Sequence, residues 1–392
     1  MGNDKELGIY IHIPFCKKKC YYCDFTSFAD CDEIQEKYMD CLRRELLYKL
    51  GKIDDSYDIT TVYIGGGTPS YIDSKYIKDV IGILMNEIGK KQSENHQLNK
   101  CEIEITIEIN PGTATEKKLQ DYMEAGVNRL SLGLQSTNNN LLKEIGRIHN
   151  FEQFLETYSL AREVGFKNIN IDLMLGLPNQ TIVDLKDSLE QVITLEPEHI
   201  SVYSLILEED TKLYNMVQEG RAKLPDEDTE RQMYWYVKNT LELHGYKHYE
   251  ISNFSKPGYE SRHNVNCWKQ KEYLGIGLAA SSYLKGERYS NISDLNKYIE
   301  NVEAGKYDKN CIVEEIQNLE DKQKEFMMLG LRTIDGISIR EFKNKFNQNP
   351  LYLFRNELDK LSKEKLLTVD EDSIRLTNRG IDLANKVWME FV

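Results

Sequence analysis

The chain has 392 residues, enough for two or perhaps three domains at about 150 residues each. Its 50 Lys and Arg face 64 Asp and Glu, a formal net charge of −14. That charge disfavours a general binder of nucleic acid or anionic membranes, and no apolar run approaches the roughly 18 residues of a membrane span.

The N-terminal MGNDKELG is polar and charged, so no signal peptide is expected and the cytoplasm is the default compartment. Eight cysteines are too few for a secreted disulfide scaffold. Four of them, Cys16, Cys20, Cys23 and Cys31, crowd near the N-terminus, and in a reducing compartment clustered thiols read as metal ligands or catalytic groups.

In chain order, short apolar runs predict strands at Gly8–Ile13, Thr61–Gly65, Glu102–Ile109, Arg129–Leu134, Asn168–Leu175 and His199–Leu205. Between and after them, amphipathic stretches predict helices at Asp32–Leu50, Ser74–Ile88, Thr115–Ala125, Phe151–Val164, Thr181–Leu195 and Asp226–His244. Gly89–Lys100 reads as an exposed polar loop. Six β-then-α units predict an α/β fold, a partial (β/α)6 barrel over residues 1–245. Residues 246–315 read as a polar connecting segment carrying His263-Asn-Val-Asn-Cys267-Trp268. Over 316–392 the sequence predicts three helices, Leu319–Leu331, Ser338–Lys345 and Leu351–Lys363, and a hairpin at Leu366–Leu376. This is a winged-helix-like domain. Its 13 basic and 13 acidic residues leave it neutral, which favours a structural or lid role over DNA binding.

Each predicted barrel strand ends in a short polar or glycine-rich signature: HIPFC, GGGTPS, EINPG, GLQS, LMLGLPNQT and YSL. In parallel barrels the loops at the C-terminal mouth carry the active site. The sharpest signature is Cys16-x3-Cys20-x2-Cys23, directly after the first strand. Three closely spaced thiolates can hold three irons of an iron–sulfur cluster and leave the fourth open for an exchangeable ligand. Zinc is the other reading, with Cys31 or His12 as the fourth ligand; the spacing and strand-end position favour the cluster. Cys31, Cys41, Cys101 and Cys311 read as ordinary small residues.

The Cys-x3-Cys-x2-Cys loop, with an aromatic residue before its last cysteine, resembles the radical S-adenosylmethionine (SAM) superfamily. With YIGGGTPS, IEINP, RLSLGLQS, GRIH, INIDLMLGLPNQT and the closing LTNRG, nearly the whole chain resembles the HemN/HemW family. The resemblance implies a [4Fe–4S] cluster on Cys16, Cys20 and Cys23, whose open iron chelates SAM and whose electron cleaves the sulfonium to a 5′-deoxyadenosyl radical. It implies SAM contacts at Tyr10, Tyr22, Gly66, Gly67, Thr68, Glu108, Gln135, Arg147 and Asp172. The glycines also read as a plain tight turn, and the acidic residues as partners of buried bases.

The oxidase branch of the family carries a fourth nearby cysteine and an N-terminal extension. Here Phe25 stands at the cysteine's position and the first strand begins near residue 8. Both departures resemble the haem-chaperone branch, which implies haem, a haem-acceptor protein and an electron donor as partners. His263-Asn-Val-Asn-Cys267-Trp268 resembles that branch's HNxxYW motif, with Cys267 in place of Tyr. Imidazole and thiolate can ligate haem iron and Trp can stack on porphyrin, so His263, Cys267 and Trp268 are the haem candidates. The alternative is an oxygen-independent coproporphyrinogen III oxidase, which would use the same barrel and cofactor. Whether the chain is a catalyst stays open at this level.

Overall fold

The computed structural model describes residues 5–94 and 102–392. Six parallel strands follow one another in sequence order: β1 (Lys5–Ile13), β2 (Tyr57–Gly66), β3 (Glu104–Ile109), β4 (Arg129–Gln135), β5 (Ile169–Leu175) and β6 (His199–Ser204). Helices Gln35–Leu50, Ser74–Glu94, Glu116–Glu124, Phe151–Val164, Ile182–Thr194 and Glu227–Leu243 accompany them, giving the expected partial barrel. The Ser74–Glu94 helix runs past Ile88 into the segment read from sequence as a loop. The rest of that segment, and Cys101, lie outside the described residues.

The strands alternate with a period of two. Leu7, Ile9, Ile11 and Ile13 are fully buried beneath the helices, as are Val62 and Ile64, Leu130 and Leu132, and Ile169 and Ile171. Their neighbours face the barrel interior and are polar: Tyr10, His12, Thr61, Tyr63, Thr106, Glu108, Ser131, Asn170, Asp172 and His199. The outer face therefore supplies hydrophobic stabilisation while the interior is reserved for chemistry. Side-chain caps fix four of the helix starts, at Thr115, Asn150, Thr181 and Asp226, with full capping boxes at Asn150 and Thr181.

Residues 246–315, read from sequence as a connecting segment, hold strands that extend the sheet at both edges. β7 (Lys247–Glu250) and β8 (Asn253–Ser255) pair antiparallel beyond β6. β9 (Glu272–Ile276) pairs parallel to β1, and β10 (Ser281–Leu284), β11 (Glu287–Asn291) and β12 (Cys311–Ile316) continue from it. These strands are short and lie toward the sheet edges, so they lack the long apolar runs that betray a central strand. The His263 motif forms a helix, Arg262–Trp268, between them.

Over 316–392 the Leu319–Gly330 and Ile339–Phe346 helices match the sequence reading, while the third breaks at Phe354 into Pro350–Leu353 and Arg355–Lys363. The predicted hairpin, β14 (Leu367–Val369) and β15 (Ser373–Leu376), gains a third strand, β13 (Ile337–Ser338). A separate core around Met327, Phe342, Leu361 and Phe391 holds this unit together. It docks on the barrel through Asp382, which accepts from Trp235 Nε1 at 2.7 Å and pairs with Arg231 at 2.6 Å.

Candidate functional site

A cavity of about 490 Å3 opens at the C-terminal ends of the barrel strands. Cys16, Cys20 and Cys23 line it, as do Tyr22, Gly66, Gly67, Thr68, Glu108, Gln135, Arg147 and Asp172. Residues from four strand ends, the first loop and the segment that carries Arg147, scattered over more than 150 positions, thus share one wall. Tyr10 does not line this cavity. It lies behind it, its hydroxyl 3.0 Å from His12 Nδ1.

The cysteine loop is pinned at both ends. Cys16 N–H donates to Phe28 O at 2.9 Å, and Tyr21 N–H donates to Ile145 O at 2.9 Å. Burial pushes the Cys16 thiol up and the Cys23 thiol up to about 11. Thr68 Oγ1 reaches Cys16 Sγ at 3.5 Å and Arg147 Nη1 reaches Cys20 Sγ at 3.5 Å. Both are donors that would favour the thiolates a cluster requires. The two residues weighed as a zinc ligand are engaged elsewhere. His12 Nε2 lies 2.8 Å from Thr26 O, and Cys31 Sγ lies 3.4 Å from Ala29 O.

The glycine segment has its own structural reasons. Gly66 sits at φ +111°, where a Cβ would clash with the His12 ring at 2.4 to 2.9 Å. A Cβ on Gly67 would meet the backbone of Ile13 and Phe15 at 2.9 to 3.0 Å. Glycine therefore lets β2 end tightly against the cysteine loop, and it leaves the backbone bare toward the cavity.

Two buried carboxyls face the same space. Glu108 accepts from Tyr63 OH at 2.9 Å and from Gly66 N–H at 3.2 Å. Burial, reinforced by Asp172, raises it to about 7 despite those bonds. Asp172 is also raised by burial, while Asn170 and Ser131 work in the opposite direction through bonds of 2.7 and 3.2 Å. Burial opposes the Arg147 charge, but Tyr22, Cys20 and Asp172 outweigh it and hold the guanidinium firmly protonated. Arg147 Nη2 also donates to Gly133 O, and its Nε is buried without a partner. Gln135 lies beside a register shift at the end of β4 with φ +71°. The irregularity stores backbone strain and re-aims this side chain at the mouth.

These residues fit a cluster and SAM: three thiols on one loop, a fixed cation with an unpaired donor, and carboxyls for an amino group or hydroxyls. Sequence reasoning missed Tyr63, which orients Glu108, and Ser131 and Asn170, which hold Asp172. Their inward alternation with Ile64, Leu132 and Ile171 was the available signal.

The three haem candidates part company. His263 and Cys267 line a second cavity of about 440 Å3, with Tyr10, His12, Tyr273 and Ser281. Asp24 and Phe25 border both cavities, so the segment after the last cysteine divides them. His263 packs inside the barrel, with Nδ1 3.0 Å from Thr61 Oγ1, and burial lowers it to about 4. Burial raises the Cys267 thiol to about 11. Trp268 lines neither cavity. Its ring and that of Trp388 sandwich Arg332, each centroid 4.5 Å from the guanidinium carbon, so it anchors the C-terminal domain. That domain contributes no lining residue to either cavity among the described residues, which counts against a lid role.

A three-cysteine loop at the mouth of a partial (β/α)6 barrel defines a radical SAM protein. The Radical SAM superfamily model matches residues 10–192 and the HemN C-terminal domain model matches residues 317–383. The fold resembles the solved coproporphyrinogen III oxidase HemN of Escherichia coli, with a TM-score of 0.83 and 23% identity over 99% of this chain and 90% of that one. The chain is 37% identical to the heme chaperone HemW of Bacillus subtilis (strain 168), over 98% of both chains. It is 36% identical to the heme chaperone HemW of Lactococcus lactis subsp. lactis (strain IL1403), over 99% of this chain and 98% of that one. The chain belongs to the HemW family. With the radical SAM superfamily come a [4Fe–4S] cluster and SAM as cofactors. Among the described residues no helix is long and apolar enough to cross a membrane.

Proposed function

We propose that the chain is a cytoplasmic haem chaperone that binds a [4Fe–4S] cluster, SAM and haem, and passes haem to an acceptor protein. The carrying observation is near-full-length similarity to proteins named heme chaperone HemW. Cys16, Cys20 and Cys23 hold the cluster. Gly66, Gly67 and Thr68 offer backbone to SAM, and Tyr22, Glu108, Gln135, Arg147 and Asp172 contribute side chains around it; Tyr10 acts from behind, through His12. When bound, cluster and SAM supply one-electron chemistry at a sulfonium, for which an electron donor is required. His263 and Cys267 serve haem from the second cavity, separated from the cluster by Phe25, while Trp268 secures their helix.

Titration of the anaerobically reconstituted protein with haem tests the reading. A shifted Soret band that saturates at a fixed stoichiometry, followed by transfer to an apo-acceptor, supports it. No Soret shift, or turnover of coproporphyrinogen III to protoporphyrinogen IX with SAM and a reductant, overturns it.

A further inference from the structure

A chain of buried side chains runs through the barrel from the cofactor cavity to the helix that carries His263. Ser261, the N-cap of the Arg262–Trp268 helix, donates its backbone N–H to Tyr249 OH at 3.3 Å. Tyr249 OH lies 2.7 Å from His199 Nε2, and His199 Nδ1 lies 2.6 Å from Asn170 Oδ1. Asn170 Nδ2 in turn donates to Asp172 Oδ1 at 2.7 Å and to Ser131 Oγ at 2.8 Å.

The proton positions follow from the partners. Tyr249 oxygen accepts from Ser261, so its own proton points to His199 Nε2. His199 is then the Nδ1–H tautomer and donates to Asn170 Oδ1. Ser201 Oγ donates to the same oxygen at 3.1 Å. With its oxygen occupied twice, the amide can turn only its NH2 toward Asp172. Every bond therefore points one way, from a backbone amide at the barrel floor to a carboxylate in the cavity wall. Such aligned bonds polarise one another. Burial, seconded by Arg129, keeps His199 well below the ordinary histidine value, which makes it a neutral link.

We propose that Tyr249 and His199 are positioning residues which, through Asn170, orient Asp172 as an ionised hydrogen-bond acceptor for a donor group of SAM. This rests on the cofactor reading above. Without His199 the Asn170 oxygen keeps only the Ser201 donor, so its NH2 is held less firmly toward Asp172 and the carboxylate loses part of its stabilising bond. Asp172 would then hold its proton to higher pH, and SAM binding would fail at higher pH than in the parent. The charged and titratable groups facing Asp172 are Arg129 on β4, Arg147, Glu108 on β3, and Tyr22, Tyr63 and Tyr203; all remain in the variants.

The test is calorimetric titration of cluster-loaded protein with SAM between pH 5.5 and 8.5, for parent, His199→Leu, His199→Gln and Tyr249→Phe. Cluster absorbance and thermal midpoint serve as the fold control. His199→Leu should bind about tenfold more weakly at pH 6.5, its loss of binding displaced upward by about one pH unit. Tyr249→Phe should move in the same direction by less. His199→Gln, which restores an amide donor to Asn170, should return toward the parent. If His199→Leu does not fold, Tyr249→Phe and His199→Gln decide by the same comparison. Unchanged affinity and pH profile in the folded variants overturns the relay. Failure of the parent itself to bind SAM overturns the cofactor reading beneath it.

Discussion

Arg147 and Cys20, 127 residues apart, meet with Nη1 3.5 Å from Sγ. The guanidinium is buried, held by the Gly133 carbonyl, and surrounded by Tyr22 and Asp172. A fixed cation beside a cluster ligand stabilises the more negative, reduced cluster. Arg147→Gln should therefore lower the cluster's reduction potential by roughly 50 mV. Redox titration followed by electron paramagnetic resonance measures it, and an unchanged potential would show that the arginine serves the fold alone.

Replacing any one of Cys16, Cys20 or Cys23 by Ala should abolish the broad absorbance near about 400 nm that is typical of iron–sulfur charge transfer. Cys31→Ala should keep it, because that thiol is spent on the Ala29 carbonyl. Loss of absorbance in the Cys31 variant would refute the three-ligand assignment.

Glu108 gives a pH signature to the unliganded protein. Burial raises its carboxyl from the ordinary 4.5 to about 7. A carboxyl raised on folding lends stability that is fully present below the unfolded value and is lost as pH rises through the folded one. Parent protein should therefore lose on the order of 3 kcal/mol relative to Glu108→Gln between pH 4 and pH 8. Urea unfolding at several pH values measures the difference; parallel curves would place Glu108 in a wetter setting than the structure gives it.

The Trp268–Arg332–Trp388 stack joins the His263 helix to the C-terminal domain. Trp388→Ala removes one face of that stack and part of a buried surface, a loss of about 3 kcal/mol in docking. Limited proteolysis should cut ahead of residue 317 faster in the variant, with cluster content unchanged. Equal cleavage rates would show that the remaining contacts, Asp382 with Trp235 and Arg231 and Glu325 with Gln270 and Arg288 among them, hold the domain without the stack.

The parallel barrel was legible because its strands carry long apolar residues on one face, and the cysteine loop because its spacing is rare. Edge strands such as Ser281–Leu284 escaped notice: they are short, polar and paired on terms that only tertiary context sets. At the site, Gly66, Glu108 and Asp172 stood out as strand-end signatures. Tyr63, Asn170 and His199 did not, since a polar residue in the middle of an apolar run reads as noise until its inward face is known. Trp268 was misjudged for a related reason. Its motif neighbours His263 and Cys267 turn into the second cavity, while the indole turns toward Arg332 on another domain.

The pairing of β1 with β9 bears on how the chain is made. Ile9 finds its partner Val62 soon after synthesis begins, but its other partner, Leu274, follows it by 265 positions. At roughly 5–20 residues per second, β1 waits on the order of 15–50 s on the ribosome with one side unpaired. Translation of β9 then closes the wall, so the strand that carries the cysteine loop is paired on both sides only late in synthesis.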